Sequence, residues 1–152
     1  MELPIYSYAA FKHDSRIFKN TPGVYAILYC GEVLYIGQSV NVRSRLLSHM
    51  NTKSNLKQLE RTKDTEYFNP VSYKISRSRY EFFEEHKDEL FFLCCAAEPN
   101  ELNELEEKYI NKYKPCFNYA GVIGDYHGVN HYSVSDFFPE PKGESQEKSE
   151  SL

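Results

Sequence analysis

The chain has 152 residues, of which 41% are apolar and 26% charged, a composition that suits one globular domain and excludes a fibrous or wholly disordered chain. No apolar run approaches the ~20 residues that cross a bilayer, and the N-terminal segment lacks a charged start followed by an apolar core. We therefore expect a cytoplasmic protein without a membrane partner.

The net charge of −4 is unevenly distributed along the chain. Residues 40–80 hold nine Lys or Arg and three acidic side chains, a net charge of +6, whereas residues 135–152 hold five acidic side chains and two lysines, a net charge of −3. A basic segment of this kind favours a polyanionic partner, with a solvated charged surface as the alternative.

The first predicted elements are a short helix and a β-hairpin. Residues 1–20 form an N-terminal extension of mixed composition, in which a short helix is predicted near 8–18. The runs GVYAILYC and EVLYIG are rich in β-branched and aromatic residues and flank a turn at Cys30-Gly31-Glu32. Such a pattern predicts a hairpin, with Tyr25 on its first strand and Tyr35 on its second.

A helix is predicted directly after the hairpin. Apolar residues recur at three- and four-residue spacing over 42–50, and Ser39 or Asn41 can cap the helix start. Arg45 and His49 are four residues apart, so they lie one turn apart on a single face.

The middle of the chain is polar and basic. A short helix is predicted around 56–61, the alternation over 71–79 indicates a strand or an extended arm, and 80–89 resembles a helical turn. The apolar run 90–97 predicts a buried strand, and 100–114 predicts a helix that Pro115 ends.

Beyond residue 120 the periodicity disappears. We expect a glycine-rich extension at 121–138 and a disordered acidic tail at 139–152, because the tail has too few apolar side chains to offset its ordering entropy. The predicted fold class is α+β: a small three-stranded, mainly antiparallel sheet flanked by helices.

Glu106 stands out among the carboxylates. It lies four residues after Leu102 and four before Ile110, within the apolar face of its helix. An ionised carboxylate there needs a cation, either an arginine or a metal ion, unless it reaches water at the edge of the apolar stripe.

At this point the chain resembles the GIY-YIG nucleases. The two tripeptides of that family appear as Gly23-Val24-Tyr25 and Tyr35-Ile36-Gly37, with their tyrosines ten residues apart. The resemblance implies six catalytic positions: Tyr25, Tyr35, Arg45, His49, Glu106 and Asn118. Asn118 lies just beyond Pro115, which ends the predicted helix.

The resemblance covers residues 21–120, which we expect to form a GIY-YIG-like nuclease domain. Within it, residues 51–89 are longer than in the smallest members and indicate a basic insertion. Gln38 follows the second tripeptide, where many members have lysine, so a role for charge at that position is lost or moved.

The resemblance also implies a chemistry, the hydrolysis of DNA phosphodiester bonds with a divalent ion. Glu106 would be the metal ligand, and an oxygen donor without a thiolate or histidine cluster favours Mg²⁺ or Mn²⁺ over zinc. Tyr25 would take the proton of the attacking water, helped by the metal, Arg45 or His49. Tyr35 would bind the scissile phosphate or the water network.

The expected partner is double-stranded or branched DNA, and a protein partner or a homodimer stays open. A catalytically idle nucleic-acid-binding module of the same fold is the alternative function. Six basic side chains of the middle segment are predicted to contact nucleic acid: Lys53, Lys57, Arg61, Lys63, Arg77 and Arg79.

Overall fold

The computed structural model describes residues 3–118 of the chain. These residues form an antiparallel sheet flanked by helices. The expected α+β class is therefore confirmed. The predictions for 121–138 and 139–152 lie outside the described residues. The strands are β1 (Ile5–Ser7), β2 (Gly23–Tyr29), β3 (Glu32–Ser39) and β4 (Leu90–Ala96), and the helices are α1 (Tyr8–His13), α2 (Val42–Met50), α3 (Thr52–Arg61), α4 (Pro70–His86) and α5 (Leu102–Tyr113).

The predicted hairpin is formed by β2 and β3, which end the strand order β1-β4-β2-β3. Tyr29 pairs with Glu32, so Cys30 and Gly31 form a two-residue turn, with φ values of 49° and 80°. Two positive φ angles match the twist of a tight hairpin, and glycine adopts such an angle without strain. Strand β3 is consequently an edge of the described sheet, where helices and loops can reach it.

Helices cover both faces of this sheet. On one face, α1, α2 and α4 enclose a cluster of buried side chains that includes Ile27, Leu46 and Phe83. On the other face, α5 adds Tyr109 to a cluster that includes Ala26. Because each large apolar side chain contributes about 1.5–3 kcal/mol when fully buried, the two clusters fix the hairpin firmly between the helices.

The prediction of three strands is wrong by one. Strand β1 pairs with β4, where Tyr6 lies opposite Phe92. It is too short to show the alternation that identifies a strand, and α1 follows it at once, with Ser7 capping the helix by accepting the N–H of Ala10. The short helix predicted in this region is confirmed as α1.

The prediction of a strand or an extended arm at 71–79 is also wrong, because these residues lie within the 17-residue helix α4. Asn69 caps its start, where its Oδ1 accepts the N–H of Ser72 at 3.0 Å. Phe82 and Phe83, further along α4, are buried beneath the sheet. The packing of the longer segment therefore outweighs the local alternation.

Helices α3 and α4 contact one another and form a unit that we call the basic hairpin (residues 52–86). Thr52 joins the two helices through a hydrogen bond from its hydroxyl to the Glu84 carboxylate. The predicted helix around 56–61 is confirmed as α3, which begins four residues earlier than expected.

The remaining predicted elements are also confirmed. Asn41, one of the two candidate caps, begins α2 by accepting the N–H of Ser44 at 3.2 Å. Helix α5 ends at Tyr113, and the next residue, Lys114, has a left-handed φ of 48° just before Pro115. Within residues 3–118, no helix is long and apolar enough to span a bilayer.

Candidate active site

Tyr25 and Tyr35 lie on the same face of the hairpin. Tyr35 pairs with Ile27, which is two residues from Tyr25 along β2, so both tyrosines project toward α2 and α4. Their ring centroids are 6.3 Å apart. The His49 ring of α2 lies close to both, with centroid distances of 5.8 Å to Tyr25 and 5.1 Å to Tyr35.

Gly37 allows the Tyr25 ring to cross the neighbouring strand. The two residues are cross-strand partners, and a Cβ atom at Gly37 would lie 2.6 Å from Tyr25 Cζ. Any larger residue would push the ring away. The glycine of the second tripeptide thus determines where the Tyr25 hydroxyl lies.

The Tyr25 hydroxyl forms a buried hydrogen bond with His49, and the Oη to Nε2 distance is 2.8 Å. His49 is only 7% exposed, and Phe83 of α4 packs edge-on against its ring at 6.3 Å. The bond therefore joins the sheet to α2 in a site that is largely closed to water.

Burial keeps the three rings neutral. It raises the pKa of Tyr25 and of Tyr35 above the usual range of tyrosine, and it lowers the pKa of His49 to about 3. The positive charges of Arg45 and Arg79 lower all three pKa values, whereas Glu106 raises those of the two tyrosines. In the tautomer with its proton on Nδ1, His49 Nε2 accepts the Tyr25 O–H.

Arg45 lies one turn before His49 on α2, as the spacing predicts. Its side chain is exposed and forms no hydrogen bond or ion pair with any described residue. Arg43, two residues earlier, differs because its Nη1 donates to the carbonyls of Asp14 and Ile17. Arg45 is therefore a cation beside the tyrosines that is available to an anion.

Glu106 reaches the site from α5, and Gln38 of β3 holds its carboxylate. Gln38 Nε2 donates to Glu106 Oε1 at 2.9 Å and to Asn103 Oδ1 at 2.6 Å. Among the described residues Glu106 Oε2 has no partner, so one oxygen is held and the other is available. Among the described residues, a neutral amide and not an arginine binds this half-buried carboxylate.

Asn118 binds the backbone of the second tripeptide. Its Oδ1 accepts the Ile36 N–H and its Nδ2 donates to the Ile36 carbonyl, both at 2.8 Å. The amide of Asn118 thus binds the backbone N–H and C=O of one edge-strand residue, the two groups that a neighbouring strand would otherwise bind. Asn118 thereby fixes the backbone between Tyr35 and Gly37.

The six predicted nucleic-acid-binding residues divide into three kinds. Lys57 and Arg61 lie four residues apart on an exposed face of α3 and have no ion pair among the described residues. Three of the cations pair with carboxylates: Lys53 with Glu84, Lys63 with Glu60 and Arg77 with Glu81.

Arg79 is the third kind, because it lies beside the tyrosines and not on the outer surface. Its guanidinium carbon is 5.0 Å from the Tyr35 ring centroid. Arg79 precedes Phe82 and Phe83 by three and four residues, so a helical reading of this segment would have placed it on the packed face.

Sequence reasoning missed Gln38 as a site residue, although its position directly after the second tripeptide was the available signal. Its contact with Glu106 joins residues 68 positions apart, which no local pattern reveals. Within residues 3–118, three or more His, Cys, Asp or Glu side chains nowhere converge into a metal-binding group. In the described part of the chain, Glu106 is the acidic side chain whose charge acts on Tyr25 and Tyr35, so a metal at this site would bind its carboxylate.

We predict that Gly37→Ala destabilises the protein by about 1–3 kcal/mol, because the added methyl group overpacks the Tyr25 ring. Denaturant unfolding measures the loss. In a Tyr25→Leu background the ring is absent, so the same substitution should cost much less. An equal cost in both backgrounds would show that Tyr25 is not the obstacle.

A pH effect follows from His49. The pKa of His49 is about 3 in the folded chain, whereas its ordinary value of about 6.5 applies to the unfolded chain. At a pH between these two values, only the unfolded chain binds the proton. The free energy of unfolding should fall by about 1–2 kcal/mol from pH 7 to pH 5 through this group. In His49→Gln that component should be missing when unfolding is measured at both pH values. An identical pH dependence in the two proteins would contradict the burial of a neutral His49.

Comparisons with known proteins identify the family of this chain. No curated protein sequence matches the chain. Among solved structures, the GIY-YIG N-terminal endonuclease domain of UvrC from Thermotoga maritima, bound to magnesium, is 25% identical, with 72% of this chain and 96% of that chain covered and a TM-score of 0.44. A point mutant of that domain, bound to its catalytic divalent cation, is 24% identical over 70% of this chain and 92% of that chain, with a TM-score of 0.43. The family model of the GIY-YIG catalytic domain matches residues 21–120, well over half of the chain. The chain therefore belongs to the GIY-YIG nuclease superfamily.

Proposed function

We propose that this chain is a divalent-metal-dependent endonuclease that hydrolyses DNA phosphodiester bonds. The observation that carries the proposal is the buried Tyr25–His49 hydrogen bond beside an unpaired arginine and a half-free carboxylate. Membership of a nuclease superfamily supports the same chemistry. DNA is the substrate that the superfamily and the basic hairpin both favour.

Glu106 fits a hard divalent cation, because its carboxylate is oriented by Gln38 while Oε2 stays available. Mg²⁺ commonly binds through one carboxylate and keeps several waters, which suits a site with a single acidic ligand, and Mn²⁺ accepts the same donor. When bound, such an ion supplies a Lewis acid that neutralises charge developing at phosphorus.

Tyr25 and His49 provide a route for the proton of the attacking water. As the water oxygen bonds to phosphorus, its proton passes to Tyr25 Oη, and the Tyr25 proton passes to His49 Nε2 along the 2.8 Å hydrogen bond. The leaving oxygen departs with the electrons of the broken P–O bond.

Substrate binding makes this transfer easier. Arg45 and Arg79 are among the causes of the low pKa of His49, after burial itself. A phosphodiester anion between them offsets their charge, so His49 becomes a stronger base when DNA is bound. Proton transfer is thereby coupled to the presence of the substrate.

The remaining predicted residues act on the phosphate or on the backbone. Arg45 donates to a non-bridging phosphate oxygen, because its planar guanidinium is always charged and matches phosphate geometry. Tyr35 contacts the phosphate or the water network. Asn118 acts as a positioning residue, because its amide is already bound to Ile36.

We predict that Glu106→Gln reduces cleavage of plasmid DNA in Mg²⁺ by about 10³-fold, since several kcal/mol of charge stabilisation at phosphorus are lost. Glu107→Gln is the matched control, because the neighbouring side chain is exposed on the same helix and should cut normally. Arg45→Ala should also abolish cleavage. Wild-type protein that binds DNA but never cuts it, in Mg²⁺ or Mn²⁺, would favour the idle binding module.

The basic hairpin should set the salt dependence of DNA binding. Lys57 and Arg61 have no ion pair among the described residues, whereas Lys53 and Lys63 have acidic partners. Each phosphate contact adds about 0.9 to the slope of log K against log salt. Lys57→Gln with Arg61→Gln should thus lower the slope by about 2, and Lys53→Gln with Lys63→Gln by less. An unchanged slope with all four residues neutralised would exclude this hairpin from the interface.

A further inference from the structure

Arg79 is an unpaired cation beside the tyrosine rings, whereas three other cations of the basic hairpin are paired. Lys53, Lys63 and Arg77 of the basic hairpin each contact a carboxylate, but Arg79 has no hydrogen bond or ion pair among the described residues. Its Nε is buried and lacks an acceptor. A buried donor without a partner destabilises the folded chain, so a ligand that supplies the acceptor explains its presence.

The helix holds Arg79 at the tyrosine cluster. Phe82 and Phe83, one turn later on α4, are buried under the sheet and fix this face of the helix. The guanidinium carbon lies 5.0 Å from the Tyr35 ring centroid and 4.9 Å from that of Tyr80. Contact with two rings orients the guanidinium group, and no described residue accepts a hydrogen bond from it.

The charge of Arg79 reaches the same groups as the charge of Arg45. Each of the two lowers the pKa of Tyr25, of Tyr35 and of His49. Glu106 is the acidic group that acts on the tyrosines, so two positive charges face one negative charge. This excess of positive charge favours a bound anion.

We propose that Arg79 is a second phosphate-binding catalytic residue, which donates to a non-bridging oxygen of the phosphodiester that is cut. Arg45 approaches that phosphate from α2 and Arg79 from α4. The inference rests on the proposed nuclease function and extends it, because it makes the basic hairpin part of the active site as well as of the DNA interface.

The role of Arg79 is electrostatic and leaves the balance of the reaction unchanged. Water oxygen bonds to phosphorus, the P–O bond to the leaving nucleotide breaks, and Arg79 stays protonated throughout. Its N–H groups bind oxygens whose negative charge grows in the transition state, so the contact should raise kcat more than affinity.

Single-turnover cleavage of DNA at saturating enzyme tests the proposal. Arg79→Met keeps the apolar stem against the rings but removes every N–H donor. We expect its rate to fall about 10²- to 10³-fold, as after loss of one transition-state donor. Lys19→Met is the control, because it removes an exposed cation outside the basic hairpin and should cut at the wild-type rate.

Two further measurements separate catalysis from structure. Added guanidinium ion should restore part of the lost rate in Arg79→Ala, which leaves space for it. Binding to DNA, measured in the Glu106→Gln background, should change far less than the rate. Should Arg79→Met lose its fold, Arg79→Lys keeps the charge and should cut faster than Arg79→Ala, with unfolding curves as the check.

The outcomes distinguish the two proposals. If the wild-type chain cuts DNA and the Arg79→Met variant cuts within about threefold of its rate, the role of Arg79 is overturned. The nuclease proposal then still stands. The same holds if saturating enzyme restores the full rate of the variant, since the contact would then serve affinity only. A wild-type chain that cuts no DNA would overturn the nuclease proposal and this inference with it.

Discussion

The buried hydrogen bond between Tyr25 and His49 is the interaction on which the site depends. It connects the middle of the sheet with α2 over 24 residues, in surroundings that exclude water. Such a bond contributes only about 0.5–1.5 kcal/mol to stability, but it fixes the two groups at 2.8 Å and in defined orientations. Gly37 makes the bond geometrically feasible, and Phe83 closes the far side of the His49 ring.

The edge strand β3 is where the other parts of the site meet. Its residues 35–38 supply a tyrosine ring, a backbone bound by Asn118, a glycine and the amide that holds Glu106. Helices from both faces of the sheet reach this edge, which explains how a carboxylate on α5 and an imidazole on α2 act on the same rings. A central strand could not serve in this way, because its neighbours would occupy the space.

Electrostatics gives the site a defined resting state. Burial keeps Tyr25, Tyr35 and His49 neutral, while Arg45 and Arg79 remain without acidic partners in the described part of the chain. Arg79 is half-buried, where positive charge that is not compensated within the protein is costly, and the phosphate of the proposed function would relieve that cost. Burial is the main cause of the low pKa of His49 in the free protein, and the charges of Arg79 and Arg45 lower that pKa further.

The sequence by itself determined the local elements of this protein and the residues that each element carries. The hairpin with its two tyrosines, the turn at Gly31, the one-turn spacing of Arg45 and His49 and the placement of Glu106 on α5 all follow from short-range periodicity and turn chemistry. These features depend on residues at most a few positions apart, so a single sequence contains them.

Only the tertiary structure decided how these elements meet. Strand β1 exists through its bonds to β4, and α4 replaces a predicted strand because Phe82 and Phe83 are buried beneath the sheet. The approach of Arg79 to Tyr35 and the hold of Gln38 on Glu106 join residues 44 and 68 positions apart. Contacts of this range arise from packing of whole elements, and packing depends on side-chain shape and burial across the fold, which no local pattern encodes.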